Sequence, residues 1–275
     1  MTARSISCLA RAKINLTLHV TGQRADGYHL LDSLVCFADI GDTITVGTSE
    51  QLGLAVEGPL ADGVPTDDSN LVLKAAHLFR SKKGADINLT KRLPHAAGIG
   101  GGSADAAATL LALAELWDEP IPNDVVQLGA DVPVCLAPKA LRMQGVGDEL
   151  SMMPDLPELY AVLVNPGVAL ETPPVFKALT QKRNSRMDSI PSWDTAVDFA
   201  TWCGQQRNDL QAPALSLQPV IIDVLNALEP SLLARMSGSG ATCFGLCADA
   251  RQAENLATQI KANHPTWWIV ATTLS

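Results

Sequence analysis

Residues 93–105, LPHAAGIGGGSAD, contain the strongest structural signal in the sequence. Four glycines lie within five positions, and an alanine-rich stretch with helical periodicity follows directly. Glycine lets the backbone turn without Cβ clashes and lets a ligand approach the main chain closely. A helix that begins here points its first N–H groups, and the positive end of its dipole, into the same space. The stretch therefore predicts a phosphate-binding loop at the start of a helix.

Two familiar nucleotide-binding motifs do not fit this stretch. No lysine follows the glycines, as the P-loop pattern requires, and Ser103 occupies the position of the last glycine in the dinucleotide fingerprint. The first predicted strand also does not lead into the glycines, which argues against a Rossmann oxidoreductase. A tight strand-to-helix turn without a ligand is the alternative, but such a turn needs only one or two glycines.

The composition is that of an ordinary globular protein. The chain has 275 residues, 47% hydrophobic and 18% charged, which is enough for one large or two medium domains. A net charge of −9 argues against a general nucleic-acid surface, so we expect no nucleic-acid partner. No apolar run reaches the length of about 18 residues typical of a membrane span, so we expect no membrane partner.

Cysteine usage indicates a reducing compartment. The six cysteines form no C-x-x-C pair, and most lie among apolar neighbours, as small buried thiols do. We therefore expect a cytoplasmic protein.

The N-terminal part of the chain predicts several strands before the glycine loop. Alternating apolar residues favour a strand over 5–19, and two short strands over 34–37 and 43–46 joined by a turn at Gly41-Asp42. A further strand over 86–93 leads into the glycine loop.

Helix signals flank the same loop. Ser69 is typical of a helix cap and predicts a helix over 70–83. The helix after the glycines has Leu110, Leu113 and Trp117 at core spacing. Pro133 predicts a shaped turn where a regular helix stops.

The C-terminal part predicts a second domain. Prolines and turn formers at 152–157 indicate a boundary, which gives domains over 1–153 and 154–275. The elements predicted beyond it are strands over 159–164, 234–237, 242–247 and 267–273, and helices over 193–204, 217–228 and 250–263. Without the extra helix the order is β-α-β-β-α-β, the split ferredoxin-like motif.

Three separated segments contain the residue types that phosphoryl transfer requires. They are residues 12–16 (AKINL), the glycine loop together with 129–131 (GAD), and residues 236–241 (MSGSGA). This reaction needs N–H groups around the phosphates, a cation for developing charge and a carboxylate for the proton of the acceptor hydroxyl. Lys13 is the candidate cation and Asp131 the candidate base.

These segments resemble motifs 1, 2 and 3 of the GHMP small-molecule kinases, and the resemblance covers nearly the whole chain. It implies an α+β fold of two subdomains, an N-terminal part similar to ribosomal protein S5 and a C-terminal ferredoxin-like part. It also implies ATP and Mg²⁺ as cofactors. Because the sequence contains no evident carboxylate cage, we assign no residue as a metal ligand.

Further motifs narrow the resemblance to one branch of the family. Residues 22–29 (GQRADGYH), 129–133 (GADVP) and 145–147 (GVG) are similar to the kinases that serve non-mevalonate isoprenoid precursor biosynthesis. The implied reaction is ATP-dependent phosphorylation of the 2-hydroxyl of a methylerythritol unit linked to cytidine diphosphate. Asp131 matches the general base and Lys13 its partner near that hydroxyl. We expect a small-molecule substrate as the partner, and a monomer or weak homodimer.

The resemblance also assigns binding residues. The ATP-binding set is Asn70, which matches a position near the adenine, with Pro94, Gly98, Gly100, Gly101, Gly102 and Ser103 around the phosphates. The substrate-binding set is Asn15, Tyr28, His29, Thr172 and Phe176. Within it, Tyr28 and Phe176 match aromatic side chains that stack on the cytosine ring, and His29 matches a group that contacts its edge.

The candidate catalytic residues have structural alternatives when each is taken alone. Asp131 could cap a helix or brace Pro133. Lys13 could be a solvated lysine on a strand edge, and Asn15 an outward-facing polar residue of an alternating strand. Their joint occurrence in the order of the family favours a catalytic site.

The candidate binding residues have alternatives too. Tyr28 and Phe176 could belong to the core, and Asn70 could simply start its helix. Residues 238–240 (GSG) could be only a hairpin turn. Two positions depart from the family pattern, since Ala104 and Pro138 stand where many members have serine and glycine. Both departures concern local loop geometry.

Two other functions remain open from the sequence. One is a GHMP kinase that acts on homoserine or a mevalonate-type alcohol, against which Tyr28 and His29 argue. The other is a non-catalytic GHMP-like binding protein, against which Lys13 and Asp131 argue.

Overall fold

The computed structural model describes residues 4–81 and 83–275. Over these residues the chain forms two units that alternate along the sequence. Unit 1 lies within Met1–Ala12, Ile40–Leu93 and Gly100–Pro138, and unit 2 within Lys13–Asp39, Pro94–Ile99 and Lys139–Ser275. The domains that the sequence predicts over 1–153 and 154–275 stay a prediction.

The described part of the chain contains helices and strands in mixed order. These are β1 (Ser5–Asn15), β2 (His19–Gln23), β3 (His29–Ser49), β4 (Leu52–Glu57), α1 (Leu71–His77), β5 (Gly84–Thr90), α2 (Gly101–Trp117), a 3-10 helix (Val125–Leu128), α3 (Val132–Cys135), β6 (Leu141–Gly145), β7 (Glu149–Ser151), β8 (Leu159–Asn165), α4 (Thr172–Ala178), α5 (Ala196–Gly204), α6 (Gln211–Leu217), α7 (Ile221–Ala227), β9 (Leu233–Met236), β10 (Cys243–Cys247), α8 (Ala250–Asn263) and β11 (Trp268–Leu274). The mixture is that of an α+β protein, as the sequence predicts.

Unit 1 contains paired strands and two helices that pack together. Strand β5 pairs antiparallel with β3 and parallel with β4, and helices α1 and α2 pack together. Leu110, Leu113 and Trp117 of α2 are buried, which confirms the predicted core spacing of this helix.

Strand β3 corrects one prediction. The sequence predicts two short strands and a turn at Gly41-Asp42, but residues 29–49 form one strand. Gly41 is needed because a Cβ there would clash with the carbonyl oxygen of Ala10 on β1. The side chain of Asp42 is fully buried and binds Lys91. Both residues therefore serve close packing of the strand and not a turn.

Helix α1 is shorter than predicted. It begins at Leu71, and its cap is Asn70, whose Oδ1 accepts a hydrogen bond from the N–H of Val72 at 2.9 Å. Ser69 donates its hydroxyl to Asp67 instead, so the prediction of Ser69 as the cap is wrong. The helix ends at His77, well before the predicted end at residue 83.

Unit 2 contains the predicted ferredoxin-like sheet. Its strands lie in the order β11-β8-β10-β9, and each neighbouring pair is antiparallel. The order of the four strands fits β-α-β-β-α-β, and helix α8 lies at its predicted bounds. Between β8 and β9 the structure has the four helices α4 to α7, where the sequence predicts two. The helix predicted over 217–228 is α7, which begins later than predicted, at Ile221, after Pro219. Helix α6 precedes it and is not predicted from the sequence.

The core of unit 2 consists of apolar side chains from its sheet and helices. Ala253, Leu256 and Ile260 of α8 are buried at helical spacing.

Five cysteines are buried and Cys8 is half-buried, as predicted for small thiols. Within residues 4–81 and 83–275, no helix combines the length and apolar character needed to cross a membrane.

Candidate active site

The glycine loop turns the chain from β5 into helix α2. Gly98 and Gly100 have φ values of 72° and 64°, in the left-handed region that favours glycine. Gly101 and Gly102 instead lie in the first turn of α2, where an alanine would suit the helix better. A Cβ on Gly102 would lie 3.4 Å from Leu71 Cδ1, so packing does not demand glycine there. These two glycines leave the first N–H groups of α2 uncovered by side chains.

The loop between β9 and β10 packs against the first residues of the glycine loop. A Cβ on Gly98 would lie 2.5 Å from the carbonyl oxygen of Ser237, and one on Gly238 would lie 2.6 Å from that of Gly98. The N–H of Thr242 also donates to the carbonyl oxygen of Ala97 at 3.1 Å. Residues 238–240 therefore support the glycine loop, and the interpretation of this segment as only a hairpin turn is wrong.

Lys13 is buried beside the glycine loop in unit 2. Its N–H donates to the carbonyl oxygen of Ile99 at 2.9 Å, and its Nζ donates to Asn15 Oδ1 at 3.3 Å. The residue is only 3% exposed. A buried ammonium must be compensated by polar groups, so the alternative of a solvated edge lysine is wrong.

Asn15 joins Lys13 to other polar groups. It is buried, and its Nδ2 donates to Ser33 Oγ at 2.8 Å while its Oδ1 accepts from Lys13. Its backbone N–H donates to Ser237 Oγ at 3.1 Å, and that hydroxyl donates to the carbonyl oxygen of Gly98 at 3.0 Å. The alternative of an outward-facing Asn15 is wrong. A single serine hydroxyl thus links parts of all three motifs.

Asp131 lies in unit 1, near the start of α2. It is half-buried at the N-cap position of α3, and among the described residues its side chain makes no capping hydrogen bond. Pro133 lies inside the first turn of α3, so it begins a short helix instead of stopping one. A Cβ on Gly129 would lie 3.7 Å from Ser103 Oγ, which places the GADVP segment beside the glycine loop. The meeting of Asp131 with Lys13 stays a prediction.

The candidate cytosine site lies in unit 2. The ring of His29 stacks on that of Phe176 in α4, with 4.7 Å between centroids and 25° between planes. Tyr28 is 65% exposed, so its assignment to the core is wrong. Phe176 is half-buried against the core of unit 2.

His29 has a polar atom available in this site. Its Nε2 is buried and lacks a hydrogen-bond partner among the described residues. Burial lowers the pKa of the imidazole, and the nearby charge of Lys182 lowers this pKa further. A neutral ring with one unsatisfied nitrogen suits a hydrogen bond to the edge of a base.

Two other predicted binding residues already have partners. Thr172 Oγ1 and Ser239 Oγ share a hydrogen bond of 2.8 Å, which connects α4 with the β9–β10 loop. Asn70 caps α1, and its Nδ2 donates to the carbonyl oxygen of Pro65 at 2.6 Å. The contact of Asn70 with adenine stays a prediction.

The sequence does not predict some of the residues that support this region. Asn208 Nδ2 donates to the carbonyl oxygens of Met236 and Gly238 at 2.8 and 2.9 Å, and so holds the β9–β10 loop. Asp42, Lys91 and Asp105 form a buried ion cluster in unit 1. The sequence offers no periodic or motif signal for such long-range partners. Across the described ranges, no three His, Cys, Asp or Glu side chains are grouped to hold a metal ion.

Comparison with protein families defines the class of the chain. Residues 70–140 match the family model "GHMP kinases N terminal domain", and residues 177–266 match "GHMP kinases C terminal". The chain belongs to the GHMP kinase family and is a small-molecule phosphotransferase. This confirms the resemblance, the fold class and the kinase activity predicted from the sequence.

Individual relatives show which branch of the GHMP kinase family this chain is similar to. The chain is 56% identical to the 4-diphosphocytidyl-2-C-methyl-D-erythritol kinase of Ruegeria pomeroyi, over 96% of this chain and 97% of the relative. It is also 56% identical to the enzyme of that name from Cereibacter sphaeroides, over 94% of this chain and 96% of the relative. A crystal structure of 4-(cytidine 5'-diphospho)-2C-methyl-D-erythritol kinase is similar, with a TM-score of 0.80, 33% identity and coverage of 98% of this chain and 99% of that chain.

A more distant solved structure shares only the fold. A homoserine kinase from Cytophaga hutchinsonii has a TM-score of 0.67 at 16% identity, over 100% of this chain and 96% of that chain. At this identity the similarity supports the architecture and says nothing about the acceptor.

Proposed function

We propose that this chain transfers the γ-phosphoryl group of ATP to the 2-hydroxyl of 4-diphosphocytidyl-2-C-methyl-D-erythritol. The observation that carries the proposal is the contact between the three motifs in unit 2. There, Lys13 donates to the glycine loop, and Ser237 joins Asn15 to Gly98. The relatives with more than half of their residues identical are kinases of this acceptor by name.

In this proposal, Asp131 accepts the proton of the 2-hydroxyl while the oxygen attacks the γ-phosphorus. The bond between that phosphorus and the β–γ bridging oxygen breaks, and ADP leaves. Lys13 stabilises the negative charge that develops between the acceptor and the phosphate. The first N–H groups of α2 receive the phosphates at the positive end of the helix dipole.

The donor set of the described residues does not form a metal site of its own. We therefore propose that Mg²⁺ enters as the complex of ATP, held by phosphate oxygens and water, as is common for this ion. No proton or phosphoryl step is assigned to it.

The cytidine end of the acceptor would bind at His29 and Phe176. The stacked pair offers an aromatic face, and the buried Nε2 of His29 offers a polar contact to the base edge. Stacking on an aromatic side chain contributes about 1–3 kcal/mol per base. This site favours a cytidylated acceptor over homoserine or a mevalonate-type alcohol, which have no base to stack.

An assay with purified protein tests the proposal. ATP, Mg²⁺ and 4-diphosphocytidyl-2-C-methyl-D-erythritol are supplied, and ADP release and the phosphorylated product are measured. Homoserine and mevalonate serve as comparison acceptors. ADP release with either of these at a rate equal to that with the cytidylated acceptor would reject the proposal, and so would ATP binding without turnover.

A cytoplasmic location and a monomeric or weakly dimeric state stay predictions. Fractionation of cells followed by immunodetection tests the location. Sedimentation equilibrium over a range of protein concentrations tests the oligomeric state.

A further inference from the structure

Three ionisable side chains meet inside unit 1, directly behind the glycine loop. Lys91 Nζ lies 2.5 Å from Asp42 Oδ2 and 3.0 Å from Asp105 Oδ2. All three residues are at least nine-tenths buried. We call Asp42, Lys91 and Asp105 the ion triad.

Each member of the ion triad comes from a different element. Asp42 lies within β3, Lys91 follows β5, and Asp105 lies in α2 just after the glycine turn. The triad therefore ties the first turns of α2 to two strands of the sheet.

Asp42 also holds the chain where it leaves β5. Its Oδ1 accepts hydrogen bonds from the N–H groups of Arg92 and Leu93 at 2.5 and 2.9 Å. A Cβ on Gly101 would lie 3.9 Å from Asp42 Oδ2, so the triad is adjacent to the first turn of α2. Both ends of the glycine loop are thereby fixed to one carboxylate cluster.

Lys91 does not take the role of a P-loop lysine. Its ammonium group points to the two carboxylates in the interior and is 3% exposed. Although burial alone lowers its pKa, the carboxylates of Asp105 and Asp42 more than offset this and raise it, which keeps the amine protonated. Its charge is used inside the protein and not on a phosphate.

Charge balance alone requires only one of the two acids. Lys91 and Asp42 already form a neutral pair, so Asp105 is a second buried acid that costs desolvation energy. Its Oδ1 is buried and has no hydrogen-bond partner in the described parts of the chain. The carboxyl group on α2 costs desolvation energy and has one oxygen without a hydrogen bond, so stability does not explain its presence.

We propose that Asp105 is a positioning residue, which through Lys91 and Asp42 fixes the first turn of α2 so that its N–H groups meet the ATP phosphates. The proposal rests on the proposed function in that ATP is the nucleotide. It predicts an effect on ATP binding and none on the acceptor site.

Replacing Asp105 by alanine removes the link but leaves the neutral Lys91–Asp42 pair. The Asp105→Asn variant keeps an oxygen for Lys91 and adds an N–H donor for Asp42. The control is Thr109→Val, one turn further along α2, which removes a buried hydroxyl that donates to the carbonyl oxygen of Asp105 at 2.7 Å. This control perturbs the helix without breaking its link to the sheet.

Three quantities are measured for each variant: the dissociation constant of ATP by calorimetry, the KM of the acceptor with kcat, and the melting temperature. We expect Asp105→Ala to weaken ATP binding tenfold or more, with the KM of the acceptor changed less than twofold. Asp105→Asn should bind ATP within threefold of the wild type. Thr109→Val should lower the melting temperature and leave ATP binding unchanged.

Wild-type ATP affinity in a folded Asp105→Ala variant would overturn the proposal. Equal weakening of ATP binding by Thr109→Val would also overturn it, because the loss of affinity would then follow from lower stability and not from the lost link between α2 and the sheet. Should Asp105→Ala not fold, Asp105→Ser is measured instead against the same two results, since its hydroxyl is too short to reach Lys91. The calorimetry needs no turnover, so the two proposals can fail separately. A wild-type protein that binds ATP but phosphorylates no acceptor would reject the proposed function, and the ATP affinities of the variants would still decide the role of Asp105.

Discussion

Lys13 and Asn15 belong to one buried polar network that includes Ser33 and Ser237. Lys13 and Asn15 are recognisable by motif, but their burial and their connection to Ser33 and Ser237 depend on chain segments far apart in sequence. Side-chain hydrogen bonds of this kind have no local pattern. Local signals can also mislead, because the sequence favours Ser69 as the cap of α1, whereas Asn70 takes that role.

The proposed general base is tested by Asp131→Asn, which removes the charge and keeps the shape. We expect kcat to fall by about 10²–10⁴-fold, the usual contribution of general-base catalysis, while the dissociation constant of ATP stays within about twofold. Steady-state kinetics and calorimetry measure the two quantities. Asp124→Asn, an exposed acid just before the 3-10 helix, is the control and should keep full activity. If the Asp131→Asn variant kept a kcat close to that of the wild type, Asp131 would not be the general base.

The exposed ring of Tyr28 allows a clean test of acceptor recognition. Because the side chain is 65% exposed, Tyr28→Ala should change the free energy of unfolding by less than about 0.5 kcal/mol. If the ring stacks on cytosine, the KM of the acceptor should rise by roughly tenfold, and the KM of ATP should not change. An unchanged KM of the acceptor would mean that His29 and Phe176 form the base site without Tyr28.

At the scale of elements, periodicity predicts the fold well where an element is amphipathic. Helix α8 and the strands of the ferredoxin-like sheet lie close to their predicted bounds. The failures have a common physical cause, since Gly41, Asp42 and Pro133 are residues typical of turns. Here they serve close strand packing, a buried ion pair and a helix start, and long-range packing of this kind leaves no local signal.

The glycines of the loop have two different roles, which two substitutions separate. Gly98→Ala places a Cβ 2.5 Å from the carbonyl oxygen of Ser237 at a positive φ, so it should cost about 2 kcal/mol or more of stability. Gly102→Ala should change stability by no more than about 1 kcal/mol, because α2 accepts alanine there.

For Gly102→Ala the expected loss is in ATP binding, by roughly tenfold, since a methyl group would keep a phosphate from one N–H group. Denaturant unfolding and calorimetry measure both effects. If Gly102→Ala bound ATP normally, the first turn of α2 would not be the phosphate site.

For the whole molecule, the class and reaction are predictable from motifs, but the division into units is not. Composition indicates a boundary near residue 153, whereas the compact units alternate along the chain. Contacts between distant segments decide such a division, and strands β1 and β3 each supply residues to both units.

Global stability should depend on pH through Asp105. Burial raises its pKa from 3.8 to about 7; Lys91 acts against this shift, and Asp42 adds to it. Between about pH 4 and pH 7 the folded state therefore holds a proton that the unfolded state has lost, so the free energy of unfolding decreases as pH rises. Above pH 7 the decrease is complete.

The Asp105→Asn variant should lack this part of the pH dependence. Denaturant titrations at several pH values give the difference between wild type and variant, in which other groups such as His19 cancel. Asp86→Asn, an exposed acid on β5, serves as the control. A difference that is constant from pH 4 to pH 7 would show that Asp105 titrates normally.

The alternation of the two units has a consequence for protein synthesis. Unit 1 has no residue beyond Pro138, so it is translated before the long C-terminal part of unit 2. The early part of β3 must wait much longer, because Phe37 exchanges hydrogen bonds with Ser275, which is translated far later. Until Ser275 has been translated, that strand edge stays open to wrong pairing or to a chaperone, and the nascent chain is therefore vulnerable at an early segment.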